Sequence, residues 1–162
     1  MNKRISLSLS KRSINGIIKK INKMPETVEK GIEDGIKEVM EGAYQEVISR
    51  TPYDTGDTAN STSYTIGNGK ATLRQDGEHV LYNEFGTGPV GAASQHPEPP
   101  SNWIYRNEGW TYYNNNSSSK YYGVHFTLGQ IAHAQMYHGG QYIRKNINKI
   151  IKKKVGVALS RI

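Results

Sequence analysis

The stretch Thr51-Pro52-Tyr53-Asp54-Thr55-Gly56 divides this 162-residue chain into a helical part and a sheet part. Proline lacks an amide hydrogen and crowds the preceding turn, so a helix that reaches this stretch ends near Arg50. Asp54 and Thr55 can accept hydrogen bonds from nearby backbone amides, and Gly56 permits a positive φ. We therefore predict that Pro52, Asp54, Thr55 and Gly56 determine a turn.

The residues before this turn predict a long helix. After Pro25, two glutamates stand near the positive end of the helix dipole, and apolar residues recur at helical spacing up to residue 50. The apolar positions are Val28, Ile32, Ile36, Val39, Met40, Ala43 and Val47. Further upstream, residues 5–10 alternate as in a strand, and residues 13–24 place isoleucines on one helical face.

The residues after the turn predict a sheet. Residues 61–85 alternate threonine, tyrosine and aliphatic residues with polar ones, which is typical of strands. Glycines 67 and 69 separate a strand at 62–66 from one at 70–75, and Asp76-Gly77 precedes a third at 78–85. Asp-Gly is a strong hairpin signal because both residues tolerate positive φ. We predict an antiparallel meander of three strands.

A second glycine-rich turn, Asn83-Glu84-Phe85-Gly86-Thr87-Gly88, ends this region. Gly86 and Gly88 let the backbone turn sharply or approach another subunit closely, and Phe85 can anchor the turn. Glycines at strand ends are common without any partner, so we interpret Glu84, Phe85, Gly86 and Gly88 as fold-determining.

Residues 87–128 contain prolines, both tryptophans and an Asn-Asn-Asn-Ser-Ser-Ser tract. We predict an insertion at about 89–128, either a hairpin that pairs Tyr112-Tyr113 with Tyr121-Tyr122 or a loop that stays irregular until a neighbouring subunit packs on it. Large aromatic side chains dominate interface hot spots. The interface candidates are therefore Trp103, Trp110, Tyr112, Tyr113, Tyr121 and Tyr122.

Apolar residues at helical spacing from about 134 to 159 predict a long closing helix, and basic residues crowd it. Residues 1–24, 25–108 and 109–162 carry net charges of +7, −8 and +8. This segregation can orient the protein against charged neighbours or nucleic acid, and it can equally reflect solvated helix faces. The candidates for DNA or ring contacts are Arg144, Lys145, Lys149, Lys152, Lys153 and Lys154.

Several classes of function are disfavoured. The chain has no cysteine, so disulfides and thiolate metal sites are impossible, and its longest apolar run is too short to span a membrane. Residues 1–10 lack the apolar core of a signal peptide, which suggests folding in a bacterial cytoplasm. Histidines 125, 133 and 138 do not share a helical face, and no catalytic motif occurs, so we expect no cofactor, metal or enzyme activity.

Three short motifs resemble the structural family of tailed phages typified by the tenth gene product of phage HK97. The matches are Pro52, Asp54, Thr55, Gly56 and Ser61; Tyr82 with Glu84 to Gly88; and Trp103-Ile104-Tyr105 followed by Gly129-Gln130. Ile131 and Ala134 stand where the family usually has proline, His133 where arginine is common, and Gln135 where an aromatic packs. The individual motifs are short, so most of the specificity of the resemblance comes from their order and spacing along the chain.

At 162 residues the chain fits a single domain, 1–162. The resemblance extends over about residues 25–155 and implies an α+β fold with two long helices on one face of an antiparallel sheet of three to five strands. It implies a subunit of a homohexameric ring that completes the tail or joins head and tail in the virion. Its partners would be itself, neck or connector proteins and tail terminator or tail tube proteins, with DNA passing through the ring. One alternative is a sequence-nonspecific DNA-binding protein that uses the closing helix, and another is an enzyme that uses Asp54 and Glu84.

Overall fold

The computed structural model describes residues 4–9, 14–15, 26–67 and 69–160. The strands in this part of the chain are β1 (Arg4–Leu9), β2 (Ser63–Gly67), β3 (Lys70–Asp76), β4 (Trp110–Asn114) and β5 (Gly123–Thr127). The helices are α1 (Glu26–Arg50), α2 (Asp57–Asn60), α3 (Val80–Phe85), α4 (Gly88–Ala93) and α5 (Gln135–Leu159). These elements confirm the predicted α+β fold.

The larger sheet is antiparallel and has the order β1-β3-β2, so β3 is its central strand. Successive side chains of a strand point to opposite faces, and in β3 every second residue is buried. Leu73 lies opposite Leu7 of β1 and Tyr64 of β2. All three side chains pack into the main core, so one face of the sheet is covered.

The two long helices cover that face and pack antiparallel. A Cβ atom built on Gly31 or Gly35 of α1 would lie 3.0 Å from the Cα of Val155 or Ile151 of α5, so glycine allows the two helices to approach closely. The main core takes Val39, Met40, Ala43 and Val47 from α1, Ala71 and Leu73 from β3, and Met136 and Ile143 from α5. Each large aliphatic side chain buried here stabilises the fold by about 1.5–3 kcal/mol.

The predicted third strand of the meander is wrong, because residues 78–85 contain helix α3. Its buried residues Val80, Asn83 and Glu84 stand at positions i, i+3 and i+4, which lie on one helical face. The second edge of β3 is occupied by β1, whose residues pair with Ala71 through Asp76. The third strand of the sheet therefore comes from the N-terminal part of the chain.

The two long helices and the first three predicted strands are confirmed to within a residue or two. The helix before Pro52 is α1, the closing helix is α5, and the strands predicted at 5–10, 62–66 and 70–75 are β1, β2 and β3. The predicted helix at 13–24 lies outside the described residues except for residues 14 and 15, which are helical. Strands β4 and β5 form the separate antiparallel hairpin that was one of the two alternatives for this segment. The predicted pairing of Tyr112-Tyr113 with Tyr121-Tyr122 is wrong, because Tyr121-Tyr122 precede β5 and the register places Tyr112 and Tyr113 opposite His125 and Val124.

Candidate functional site

Residues 83–88 and 129–137 meet in a region that we call the junction. Thr87 and Gln130 exchange backbone hydrogen bonds with N···O distances of 2.9 and 3.1 Å. Gly129 has a φ of 96°, and a Cβ atom there would lie 1.9 Å from the carbonyl oxygen of Thr87. Glycine is therefore required at this position both for backbone conformation and for space.

The glycines of the second turn also face the chain itself. A Cβ atom on Gly86 would lie 2.8 Å from the amide nitrogen of Ala132, and one on Gly88 would lie 2.5 Å from the carbonyl oxygen of Leu128. Backbone contact within one molecule accounts for both glycines. The sequence had left open whether they approach another subunit.

Glu84 is the buried acid of the junction, with 3% of its surface exposed. Its Oε2 accepts a hydrogen bond from the Met136 amide at 2.8 Å, and its Oε1 accepts one from the Tyr137 amide at 2.9 Å. Ala134, which immediately precedes α5, provides no side-chain cap. The Glu84 carboxylate therefore caps α5 from a distant part of the chain, where the helix dipole favours a negative charge.

His96 is buried beside this carboxylate. Its Nε2 lies 3.0 Å from Oε1 of Glu84, and its Nδ1 accepts a hydrogen bond from the Glu98 amide at 2.9 Å. Since Nδ1 is an acceptor, Nε2 carries the hydrogen that is donated to Glu84. The imidazole packs edge-on against Phe85 and Tyr137 at centroid distances of 4.9 and 5.2 Å. Sequence reasoning missed His96 because no periodic spacing links it to Glu84.

The two tryptophans proposed as interface residues are half-buried. Trp103 donates a hydrogen bond from Nε1 to the carbonyl of Gly86 at 3.2 Å, and its ring lies 5.1 Å from that of Phe85. The guanidinium of Arg106 lies over the Trp110 ring, 5.2 Å from its centroid. Because both rings are half-buried, they offer less surface to a partner than the four exposed tyrosines do.

The turn after α1 has the predicted course. The helix ends at Arg50, before Pro52, and Gly56 has a φ of 90°. The hydroxyl of Thr55 donates a hydrogen bond to Oδ2 of Asp57 at 2.6 Å. Thr55 therefore acts locally, as the sequence indicated.

Asp54 acts at a distance instead of within its own turn. Its carboxylate accepts a hydrogen bond from the hydroxyl of Ser119 at 2.5 Å and one from the amide of Lys120 at 3.3 Å. Ser119 is buried and belongs to the loop that joins β4 to β5. Asp54 thus attaches that loop to the C-terminal end of α1, a role that local sequence could not indicate.

A buried amide network links the first turn to the junction. Nε2 of Gln75 donates hydrogen bonds to the hydroxyls of Thr51 and Thr62 at 3.0 and 2.9 Å, and its Oε1 accepts one from Nε2 of Gln135 at 3.2 Å. Both glutamines are fully buried. Among the described residues, Oε1 of Gln135 has no hydrogen-bond partner. Through this network and Glu84, residues beside the first turn, the second turn and the start of α5 form one connected region.

The β4–β5 hairpin exposes an apolar surface that we call the hairpin face, formed by Tyr113, Tyr122, Val124 and Phe126. The register pairs Tyr113 with Val124, and Val124 and Phe126 are 70% and 68% exposed. The hydroxyls of Tyr113 and Tyr122 lie 3.2 Å apart, and this hydrogen bond raises the pKa of Tyr113. The period-two pattern of residues 123–127 could have identified Val124 and Phe126 as neighbours on one face of a strand.

The other two tyrosines of the set lie near His125. The Tyr112 ring lies 5.7 Å from the imidazole, the Tyr121 ring lies 6.2 Å from it, and both tyrosines are exposed. The ammonium of Lys120 lies 4.8 Å from the centroid of the Tyr121 ring. All four tyrosines that the sequence proposed for contact are therefore exposed on or beside the hairpin.

The six basic residues of α5 do not form one group. Lys145, Lys149, Lys152 and Lys153 are exposed at positions i, i+4, i+7 and i+8, and we call them the lysine stripe. Lys154 is half-buried, and its Nζ forms an ion pair with Oε2 of Glu38 at 2.6 Å. Arg144 is exposed but lies about 80° around the helix from the nearest stripe residue, at 100° per residue.

The remaining histidines have no shared site. Within the described ranges, no three His, Asp or Glu side chains come together in a way that could hold a metal ion. His133 is half-buried, and burial lowers its pKa below the ordinary value of 6.5. In the same part of the chain, no helix combines the length and the apolar character that crossing a membrane requires.

No family model, curated protein or solved structure gives a match to this chain.

Proposed function

We propose that this protein is a structural component of a tailed bacteriophage virion, a ring-forming subunit that completes the tail or joins the head to the tail. It would be made in the host cytoplasm and reside at the neck or tail top. Its partners would be copies of itself, six by the implication of the resemblance, and the neck, connector, tail terminator or tail tube proteins above and below the ring.

The observation that carries the proposal is that the second turn, the start of α5 and Thr51 beside the first turn meet in one hydrogen-bonded region. Glu84 of the second motif caps the helix that follows the third, and Gln75 links Gln135 to Thr51 at the first turn. Short motifs that are far apart in sequence have little specificity singly. Their joining in one region is the arrangement expected if they act as one structural unit, as the resemblance implies.

The surface of the hairpin supports assembly rather than turnover. Lys120 is the only Asp, Glu, Lys or Arg between Glu108 and Arg144. Protein interfaces are depleted in charge and enriched in aromatic side chains at their centres. A two-stranded hairpin is also marginally stable alone. In the proposed ring, the hairpin face packs on the neighbouring copy, which removes Val124 and Phe126 from water.

The experiment is the mass and shape of the purified protein, measured by light scattering and negative-stain microscopy. We expect closed rings. The variant with Val124→Ser and Phe126→Ser is expected to stay folded by circular dichroism but to fall to monomers. The matched control, Ile66→Ser with Val157→Ser, also removes two exposed apolar side chains, but from β2 and α5, and is expected to form rings.

Two results would contradict the proposal. A wild-type protein that remains monomeric at every concentration, with or without phage tail tubes, would remove the ring. Rings that persist in the Val124 and Phe126 variant would remove the hairpin face from the interface.

A further inference from the structure

The lysine stripe is a second surface, separate from the hairpin face. Lys145, Lys149, Lys152 and Lys153 fall within an arc of about 100° on α5, because one residue advances the helix by about 100°. All four are exposed. The stripe extends over about 12 Å at 1.5 Å per residue, so its four ammonium groups form one continuous positive surface.

The stripe has little compensating charge. No Asp or Glu occurs after Glu108, so α5 itself carries no acid. Among the described residues, no ion pair joins a stripe lysine to a carboxylate. The pKa of Glu38 is lowered mainly by its hydrogen bond with Lys154, which is not part of the stripe, and Lys153 adds only a smaller electrostatic contribution. The positive charge of the lysine stripe is therefore available to bind a negatively charged partner.

We infer that the lysine stripe binds the phosphate backbone of double-stranded DNA without sequence preference. Lysine binds phosphate as a point charge, and backbone contacts carry no sequence information. Phosphates of one DNA strand are spaced about 3.4 Å along the axis, so a 12 Å stripe faces roughly four of them. Protein interface centres are depleted in lysine, which favours DNA over a second protein as the occupant.

This inference goes beyond the proposed function and does not require a ring. Its test is fluorescence anisotropy of the full-length chain with two labelled duplexes of unrelated sequence, measured over a series of salt concentrations. With four phosphates neutralised, the slope of log affinity against log salt is expected to be about −3.6, which corresponds to roughly a hundredfold loss between 50 and 200 mM salt. The two duplexes are expected to bind equally.

The decisive variant is Lys149→Gln with Lys153→Gln, for which the salt slope is expected to fall to about −1.8, since each phosphate contact contributes about −0.9. The matched control is Lys30→Gln with Lys37→Gln, which removes two exposed lysines and the same charge from α1. That control is expected to keep the wild-type slope.

Three outcomes would overturn the inference. The first is no binding of either duplex by the wild-type protein at 50 mM salt. The second is an equal loss of slope in the control, which would mean that net charge alone governs binding. The third is a stripe variant that binds DNA normally but changes its oligomeric state, which would make the stripe a protein contact.

Discussion

The junction and the β4–β5 hairpin are neighbours along the chain, but the junction buries polar side chains and the hairpin exposes apolar ones. In the junction, Glu84 and His96 are buried and meet donors and acceptors of the same molecule. In the hairpin, Val124 and Phe126 are exposed, and the loop that connects the two strands is hydrogen-bonded to Asp54, which lies outside the hairpin. The junction therefore stabilises the fold, whereas the hairpin is held in position with its apolar surface exposed.

The largest expected effect comes from removing the acid of the junction. Glu84→Ala leaves the amides of Met136 and Tyr137 and the imidazole of His96 without their acceptor. Unpaired buried donors cost about 1–3 kcal/mol each, so we expect a loss of about 3 kcal/mol or more in the free energy of unfolding. Urea denaturation measures it.

The matched control for that variant is Glu98→Ala, because Glu98 is an exposed acid close by in the sequence. We expect it to change the stability by no more than about 0.5 kcal/mol. A Glu84 variant as stable as the wild type would show that the carboxylate does not cap α5.

Two glycines with positive φ, one in the junction and one in the hairpin, allow the packing of the two regions to be compared. Gly129 has a φ of 96° in the junction, and Gly123 has a φ of 107° at the start of β5, where a Cβ atom meets nothing within 4 Å. Alanine at either position strains the backbone by about 1–3 kcal/mol. At Gly129 it also collides with the Thr87 carbonyl, which adds about 1–3 kcal/mol.

We therefore expect Gly129→Ala to lower the melting temperature clearly more than Gly123→Ala, as measured by calorimetry. If the two variants lower the melting temperature equally, the junction is no more tightly packed around Gly129 than the hairpin is around Gly123.

A smaller effect is expected from releasing the hairpin loop. Asp54→Ala removes the acceptor of Ser119 and of the Lys120 amide, and we expect a loss of about 1 kcal/mol because Asp54 is exposed to solvent. Hydrogen exchange should become faster in β4 and β5 and stay unchanged in α1 and α5. Asp57→Ala, which alters the same turn but only a contact with Thr55, should leave the exchange of the hairpin unchanged. Faster exchange in both variants would argue against the attachment.

The smallest effect concerns pH. Burial lowers the pKa of His133 in the folded protein below the unfolded value of 6.5. The unfolded chain therefore binds a proton first as the pH falls, and stability decreases from pH 6.5 down to the folded pKa. Because His133 is only half-buried, solvent screening limits the effect to a few tenths of a kcal/mol.

We expect His133→Gln to remove this part of the acid destabilisation, as measured by urea denaturation at several pH values between 7 and 5. If the variant and the wild type lose stability in parallel over that range, His133 is not responsible.

Periodicity predicted the elements whose own residues repeat regularly. Helix α1 and helix α5 each carry an apolar face over many turns, and β2 and β3 alternate. The strand predicted at residues 78–85 is wrong because Val80, Tyr82 and neighbouring residues suit a strand as well as a helix. The helical choice depends on which residues are buried together, namely Val80, Asn83 and Glu84.

The two long helices, the turn at Pro52 and the concentration of aromatic and basic residues follow from local spacing and composition, so they can be predicted from the amino-acid sequence. Four contacts could be recognised only in the folded molecule: β1 completes the sheet, Glu84 caps α5 beside His96, Asp54 binds the hairpin loop, and Lys154 pairs with Glu38. These contacts join residues far apart in the chain, and their free energy depends on burial and geometry that no local pattern records.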